Sequence, residues 1–324
     1  MRRAGANPAP VLFALTSALL FLIGYASQRT GVCMVRAMRE VIEKRRMHRI
    51  AGFALAASSA MVVMGIAEWL GARPFATILG SAPDGFSIAG GVLFGLGSIL
   101  AGHCAMGLLA GLTRGELWRA GSIAAMFAAA LLLGPNMSSA ALMLPARGQL
   151  PSPLTGHVAL ALVLGGTVGL VSATYIYRRI GWNAPRGGWS PLIAMGVVGT
   201  ASGVLFALDR QWVYTSRIAD IAYGRSWALG ALLGLTALIA GMTSATLAGR
   251  TFRLRLGAGR HWLRALAGGL LMGVGATLVP GGNDAMLFTG VPLLLPNLLT
   301  GYASFTATLA LALLVRRQAV PMDA

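Results

Sequence analysis

The residues with the most evident chemistry lie at 102–107, where the sequence Gly-His-Cys-Ala-Met-Gly directly follows the glycine-rich apolar run 88–101. A second thiol, Cys33, ends the polar segment 27–33, which follows another apolar run. Each cysteine therefore comes shortly after a glycine, in a polar segment that interrupts the apolar sequence, which we call a break. A single buried cysteine is usually a small apolar filler. Because both breaks of one half of the chain carry a thiol, a functional role for Cys33 and Cys104 is favoured.

Other polar residues occupy comparable breaks. His103 can donate or accept a proton, or can be satisfied by a backbone carbonyl. Asp284, in the segment Pro-Gly-Gly-Asn-Asp at 280–284, is the best candidate for an acid within a membrane, where such residues are usually functional. Its alternative role is to cap a helix that begins after Gly282. A weaker break at 212–216 contains Thr215.

The composition that surrounds these breaks is that of an integral membrane protein. The chain is 56% hydrophobic and 11% charged, with a mean hydropathy of +0.72. Its net charge of +17 is concentrated in short segments between apolar runs, as the positive-inside rule predicts. This placement argues for a lipid bilayer as the partner and against nucleic acid.

Several kinds of site find no support in the sequence. Two cysteines and four histidines are too few and too widely separated for a zinc site. No nucleotide-binding loop or catalytic triad is present. We therefore predict that the protein has no cofactor and is not an enzyme.

Windows of about 20 apolar residues predict nine transmembrane helices. They fall at residues 10–26, 50–70, 86–102, 117–137, 157–177, 191–208, 227–248, 262–279 and 298–315. The first window, preceded by two arginines, has features of a signal peptide. We interpret it as a retained span, because the apolar run continues directly into the polar segment 27–33.

An internal repeat divides the chain. Residues 89–97 recur in closely similar form at 267–275, so residues 10–140 form a first repeat and 189–318 a second, joined by a linker with a central span at 141–188. The strongest basic segments are 36–49 and 250–264. Placing both in the cytoplasm inverts the second repeat and puts the N-terminus outside and the C-terminus inside. The whole chain, 1–324, is thus predicted to be one transmembrane domain.

Inverted repeats with interrupted helices are typical of transporters. The predicted fold is an all-α integral membrane protein with about nine transmembrane helices and additional half-membrane, re-entrant helices at the breaks. A helix that restarts inside the membrane offers free N–H groups and a positive dipole end, which suit an anion. The glycine faces of the two similar runs, which include Gly91, Gly95, Gly269 and Gly273, are expected to serve helix packing.

With these residues considered together, the chain resembles the YeeE/YedE family of membrane proteins, which is associated with thiosulfate uptake. The resemblance covers nearly the whole length and depends on Arg-Thr-Gly-Val-Cys at 29–33, the segment 102–107 and the segment 280–284. It implies a cell inner-membrane protein that passes thiosulfate through a constriction lined by cysteines. Cys33 and Cys104 match two of the family's central cysteines, whereas Asn283 stands at the third. This departure leaves sulfite, a sulfide-like species or a selenium compound open as the substrate.

The predicted substrate-binding residues are Gly31, Cys33, Gly102, His103, Cys104, Thr215, Gly282, Asn283 and Asp284. Two alternatives to transport stay open at this point. The first is a membrane redox or sulfur-relay protein in which Cys33 and Cys104 alternate between dithiol and disulfide or carry a persulfide. The second is a scaffold for a sulfur-relay complex, with the basic segments 36–49 and 250–264 as its docking surface. A cytoplasmic sulfur-carrier protein is a further candidate partner.

Overall fold

The computed structural model describes residues 8–76, 78–143, 149–181, 188–208, 221, 228–279 and 281–319. Nearly all of the regular structure in these ranges is helical. The helices are α1 (Pro8–Thr30), α2 (Met34–Lys44), α3 (His48–Trp69), α4 (Gly85–Ala101), α5 (Ala105–Leu112), α6 (Trp118–Met143), α7 (Val158–Ile180), α8 (Pro191–Leu208), α9 (Ala228–Ala248), α10 (Gly259–Leu278), α11 (Asn283–Ala285) and α12 (Pro296–Ala319). A π-helical turn, Met286–Gly290, follows α11 directly.

The described strands are two residues long. β1 (Gly80–Ser81) pairs antiparallel with β2 (Gln149–Leu150), and a 3₁₀ turn at Pro74–Ala76 precedes β1. Ser152, just after β2, donates a hydrogen bond of 2.6 Å to the Leu293 carbonyl. The segments that follow α3, α6 and α11 are thereby joined at one end of the helical bundle. Because helices make up nearly all of the regular structure, the prediction of an all-α membrane protein is confirmed.

Seven helical segments of the described residues are long and apolar enough to cross a membrane, and one bent pair would make an eighth. The bent pair is α10 with 283–290, whose axes differ by 47°. Two of the seven segments contain a break: α1 with α2, and α4 with α5. The described part of α6 counts as a shorter apolar helix, Trp118–Leu133. The number of nine spans therefore stays a prediction.

Local sequence explains where α4 begins and ends. Asp84 precedes the helix, and its carboxylate accepts a 2.8 Å hydrogen bond from the Ser87 amide, which satisfies a free N–H of the first turn. Gly102 ends the helix with a φ of +78°, a left-handed conformation that favours glycine. Nothing lies within 4 Å of a Cβ built on Gly102, so glycine is needed there for its backbone and not for space.

The long helices pack in a regular pattern. α1 contacts α8 and α9, and α3 contacts α7 and α8. α10 lies between α4 and α6, and α12 packs on the other side of α4. Each first-repeat helix has a counterpart in the second repeat: α1 corresponds to α8, α3 to α9, α4 to α10 and α6 to α12. If each helix is exchanged for its counterpart, the list of contacts among these eight helices stays the same.

Glycines bring α4 and α10 into backbone contact. A Cβ built on Gly97 would lie 2.6 Å from the Gly268 carbonyl oxygen, and one built on Gly275 would lie 2.6 Å from the Gly90 carbonyl oxygen. The other predicted glycine faces also pack: Gly91 and Gly95 against α12, and Gly269 and Gly273 against α6. The packing interpretation of these four glycines is confirmed.

Replacing Gly97 with alanine is expected to destabilise the protein, because backbone atoms on both sides of the crossing leave no room for a methyl group. Overpacking typically costs about 1–3 kcal/mol. The apparent melting temperature in detergent should fall. The matched control is Gly166→Ala in α7, where a Cβ has nothing within 4 Å and alanine favours the helix. A Gly97→Ala protein that melts like the control would contradict the crossing.

Candidate functional site

The two cysteines meet inside the protein. Cys33 immediately precedes α2 and Cys104 immediately precedes α5, and both have extended backbones. Their sulfurs lie 3.8 Å apart, with the Cys104 thiol directed at Cys33 Sγ, and both residues are buried as free thiols. The structure thus places these two predicted site residues in direct contact, across 71 positions of sequence.

The geometry of the breaks produces this contact. Gly31 ends α1 with a φ of +72°, just as Gly102 ends α4, and each glycine redirects the chain so that the cysteine two residues later begins a new helix. Gly107, in the first turn of α5, then allows close approach. A Cβ at this position would lie 2.8 Å from Cys33 Sγ.

Hydrogen bonds hold the thiol pair in place. The Met34 amide donates to Cys104 Sγ at 3.3 Å, and the Tyr302 hydroxyl of α12 donates to Met34 Sδ at 3.8 Å. Gln28 near the end of α1 donates to the Ala110 carbonyl at 3.2 Å and to Thr246 Oγ1 at 2.7 Å. α1, α5, α9 and α12 therefore all contribute to the position of the two sulfurs.

His103 is positioned by an arginine. Its Nε2 lies 3.3 Å from Arg119 Nη2. Since a guanidinium only donates hydrogen bonds, Nε2 is the accepting nitrogen and Nδ1 carries the hydrogen. This Nδ1–H is buried and has no protein partner in the described part of the chain.

Arg119 is a site residue that sequence reasoning misses. Arg119 stands at the start of the predicted span 117–137, but it is only 5% exposed and its Nε donates to Glu116 at 2.5 Å. The available signal is Glu116, one of only nine acidic residues, placed three positions before an arginine at helical spacing.

The third break lies close to the thiol pair. α11 contacts α5, and Asp284 lines a largely apolar pocket together with Met106, Leu20 and Leu238. Asn283 and Asp284 are each 3% exposed, and Asn283 Oδ1 has no partner within the described residues.

The capping role considered for Asp284 concerns the N-terminus of α11. Gly282, and not Asp284, holds the N-cap position of α11, while Asp284 lies in its first turn. Thr215 and Pro280 lie outside the described residues, so their positions relative to the site stay predictions.

A second pocket includes Cys33 in its lining. It is lined by Gly31, His48, Arg49 and Met195, among others. Arg49 Nη1 donates to the Gly31 carbonyl at 3.0 Å, which places a cation at its wall. A neighbouring basic pocket shares His48 and adds the arginines Arg45, Arg46 and Arg179. One pocket therefore reaches the thiol pair at Cys33, and another lies beside Met106, two residues after Cys104.

The chemistry that this arrangement offers is that of anion binding. Two thiols, the N-terminal ends of α2 and α5 and an imidazole N–H are donors or positive dipole ends. Within the described ranges, no group of three histidine, cysteine, aspartate or glutamate side chains is suited to hold a metal ion.

Mild oxidation should join Cys33 to Cys104, because their sulfurs are already adjacent. Diamide takes up the two thiol hydrogens and becomes a hydrazine as the disulfide forms. Both thiols should then escape maleimide labelling after denaturation and should reappear on reduction. Gly107→Ala should slow the reaction by displacing Cys33, whereas the control Gly166→Ala should not. Equal crosslinking rates in these two variants would contradict the close approach of α5 to Cys33.

Comparison with known proteins identifies a family. The chain matches the family described as Sulphur transport over residues 29–311, which include Cys33, Cys104 and Asn283. A search of curated proteins finds no match. The matched range covers most of the chain and contains both cysteines. The chain is therefore a multi-pass membrane protein that belongs to the YeeE/YedE sulphur transport family, whose members transport sulfur compounds.

Proposed function

We propose that the protein is a channel-like permease for thiosulfate or a related small sulfur-containing anion. The anion passes through a constriction formed by Cys33 and Cys104. The observation that carries this proposal is the 3.8 Å contact of two thiols at the restart of two interrupted membrane helices. One pocket is lined in part by Cys33 and another by Met106, two residues after Cys104, which supports a pathway past this contact.

The donors at the constriction suit transit more than tight binding. A divalent anion that enters the membrane loses hydration and needs hydrogen-bond donors or positive charge in return. Thiols are weak donors, and helix N-termini carry only partial positive charges. Such groups lower the barrier without creating a site too deep to leave, as conduction requires.

Asn283 supports a modified version of the family's pathway. It is buried in the third break, where the resemblance places a cysteine. The side-chain amide supplies two N–H donors in place of one weak thiol donor. Asp284, beside the apolar pocket, is the acidic residue that the anion would approach at this break.

We also infer an inverted repeat with both strongest basic segments in the cytoplasm of the cell and the protein in the inner membrane. The contacts of the long helices exchange under the repeat, and the Gly90–Gly275 approach corresponds to the Gly268–Gly97 approach. This arrangement places the N-terminus outside and the C-terminus inside. A cytoplasmic sulfur-carrier protein would then meet the basic pocket of Arg45, Arg46 and Arg179.

A membrane redox function is the second candidate, and the sulfur contact itself favours it. Two thiols at 3.8 Å can form a disulfide after a small movement. A protein of this kind would change the redox state of a partner's thiols and would move no sulfur anion across the membrane.

Uptake of ³⁵S-thiosulfate into vesicles that contain the purified protein tests the transport proposal. Cys33→Ala and Cys104→Ala should each reduce uptake about tenfold, since one lost hydrogen bond to a charged group is worth about 1.5–3 kcal/mol. Asn283→Cys should keep uptake close to the wild-type rate. Gly166→Ala is the control for substitution as such. Normal uptake by both alanine variants would mean that the thiols only fill space.

Single cysteines introduced into a Cys33→Ala/Cys104→Ala protein test the orientation. Ala82→Cys, in the exposed loop before α4, should react with an impermeant maleimide added to intact cells. Ala258→Cys, exposed before α10, should react only after the membrane is permeabilised. The reverse labelling pattern would overturn the proposed orientation.

A further inference from the structure

Several arginines lie near His103. Arg119 of α6 lies 3.3 Å from its Nε2, and Arg36 and Arg39 of α2 and Arg114 of the turn after α5 are within electrostatic range of the imidazole. Glu116 forms a salt bridge with Arg119, whereas Arg36 and Arg114 form no salt bridge with any described residue. The cluster therefore carries more positive charge than its own carboxylate neutralises.

The cluster contains buried donors that the protein does not use. Only 5% of Arg119 is exposed, and its Nη1 has no hydrogen-bond partner in the described ranges. His103 Nδ1 is likewise buried and unpartnered. Leaving buried donors unsatisfied, above all charged ones, is costly, so such donors in a native protein call for an explanation. An acceptor from outside the chain would satisfy both.

The cluster lies near the thiol pair. Arg36, Arg114 and Arg119 are each within electrostatic range of Cys33. The Arg119 guanidinium packs directly on Gly111 of α5, where a side chain would displace it. Burial lowers the pKa of the Arg114 guanidinium, and the nearby charge of Arg36 lowers it further. Arg114 and Arg119 thus lie at the C-terminal end of α5, the helix that follows Cys104.

We propose that Arg36, Arg114 and Arg119, together with His103, form a second anion site next to the thiol pair, which binds a small divalent oxyanion such as thiosulfate or sulfate. The assignment of thiosulfate to this site rests on the proposed transport function. The site recognises the oxygens and charge of the anion, whereas the thiols contact it through weak sulfur hydrogen bonds. Glu116 holds Arg119 in place and offsets part of the charge, which limits how tightly an anion is retained.

A site of this kind gives the pathway two binding sites with different chemistry, one formed by thiols and one by arginines. Guanidinium groups form charge-assisted hydrogen bonds to oxyanions that are roughly twice as strong as neutral ones. An anion at the thiol pair is thus attracted toward the arginines. From there it leaves along the basic segments that we place in the cytoplasm.

Equilibrium binding of ³⁵S-thiosulfate and ³⁵S-sulfate to the purified full-length protein in detergent tests this site. The Cys33→Ala/Cys104→Ala protein should still bind both anions at low salt. Adding Arg114→Gln to it should weaken binding of both about tenfold, since a hydrogen bond to a charged group is worth about 1.5–3 kcal/mol. Arg253→Gln is the matched control: Arg253 is exposed, lies in the other basic segment and contacts Arg114 only through the backbone.

Two results would overturn the second site. One is loss of all anion binding in the double cysteine variant. The other is equal binding by the Arg114→Gln and Arg253→Gln proteins in that background. Arg36→Gln, in a different element, replaces Arg114→Gln if the latter elutes as an aggregate on size-exclusion chromatography. Failure of the transport function itself would appear separately, as wild-type vesicles that take up no thiosulfate while detergent-solubilised protein still binds the anion.

Discussion

The site depends on the approach of α5 to Cys33 at a distance that admits no side chain. Gly107 provides the gap, and the sulfur of Cys33 fills the space that a Cβ would occupy. Because the Met34 amide also donates to Cys104 Sγ, the backbone of one break is bonded to the thiol of the other. The two breaks therefore form one unit, and a displacement of either helix changes both thiols.

The surrounding frame keeps this unit in place by the same means. Backbone contact of α4 with α10 through Gly97 and Gly268 leaves little freedom for α4, and α5 continues from α4 after a single turn. Membrane helices gain little from hydrophobic association in lipid, so close backbone packing and interhelical hydrogen bonds carry the stability. Gln28 supplies such bonds at the level of the site, between α1, α5 and α9.

Positive charge lies near the thiols. The sulfurs lie beside weak donors and helix termini, and the guanidinium groups of Arg36, Arg114 and Arg119 are within electrostatic range of Cys33. An exposed arginine would fix only the orientation of the chain in the membrane. A buried arginine takes part in the site. Arg119 is the clearest case, since its Nε bonds Glu116 and its Nη2 bonds His103.

The sequence alone determined the membrane class, the position of most long helices and the location of the breaks. These features depend on local properties: apolar runs of membrane length, and glycines that stop a helix, such as Gly31 and Gly102. Only the tertiary structure decided which breaks meet, that Cys33 contacts Cys104, and that Arg119 is buried against His103. Those facts follow from packing between residues far apart in the chain, where a single glycine such as Gly107 sets the distance. The sequence of a basic segment is the same whether its arginines are exposed to water or buried against a helix. Their burial therefore had to be observed in the structure.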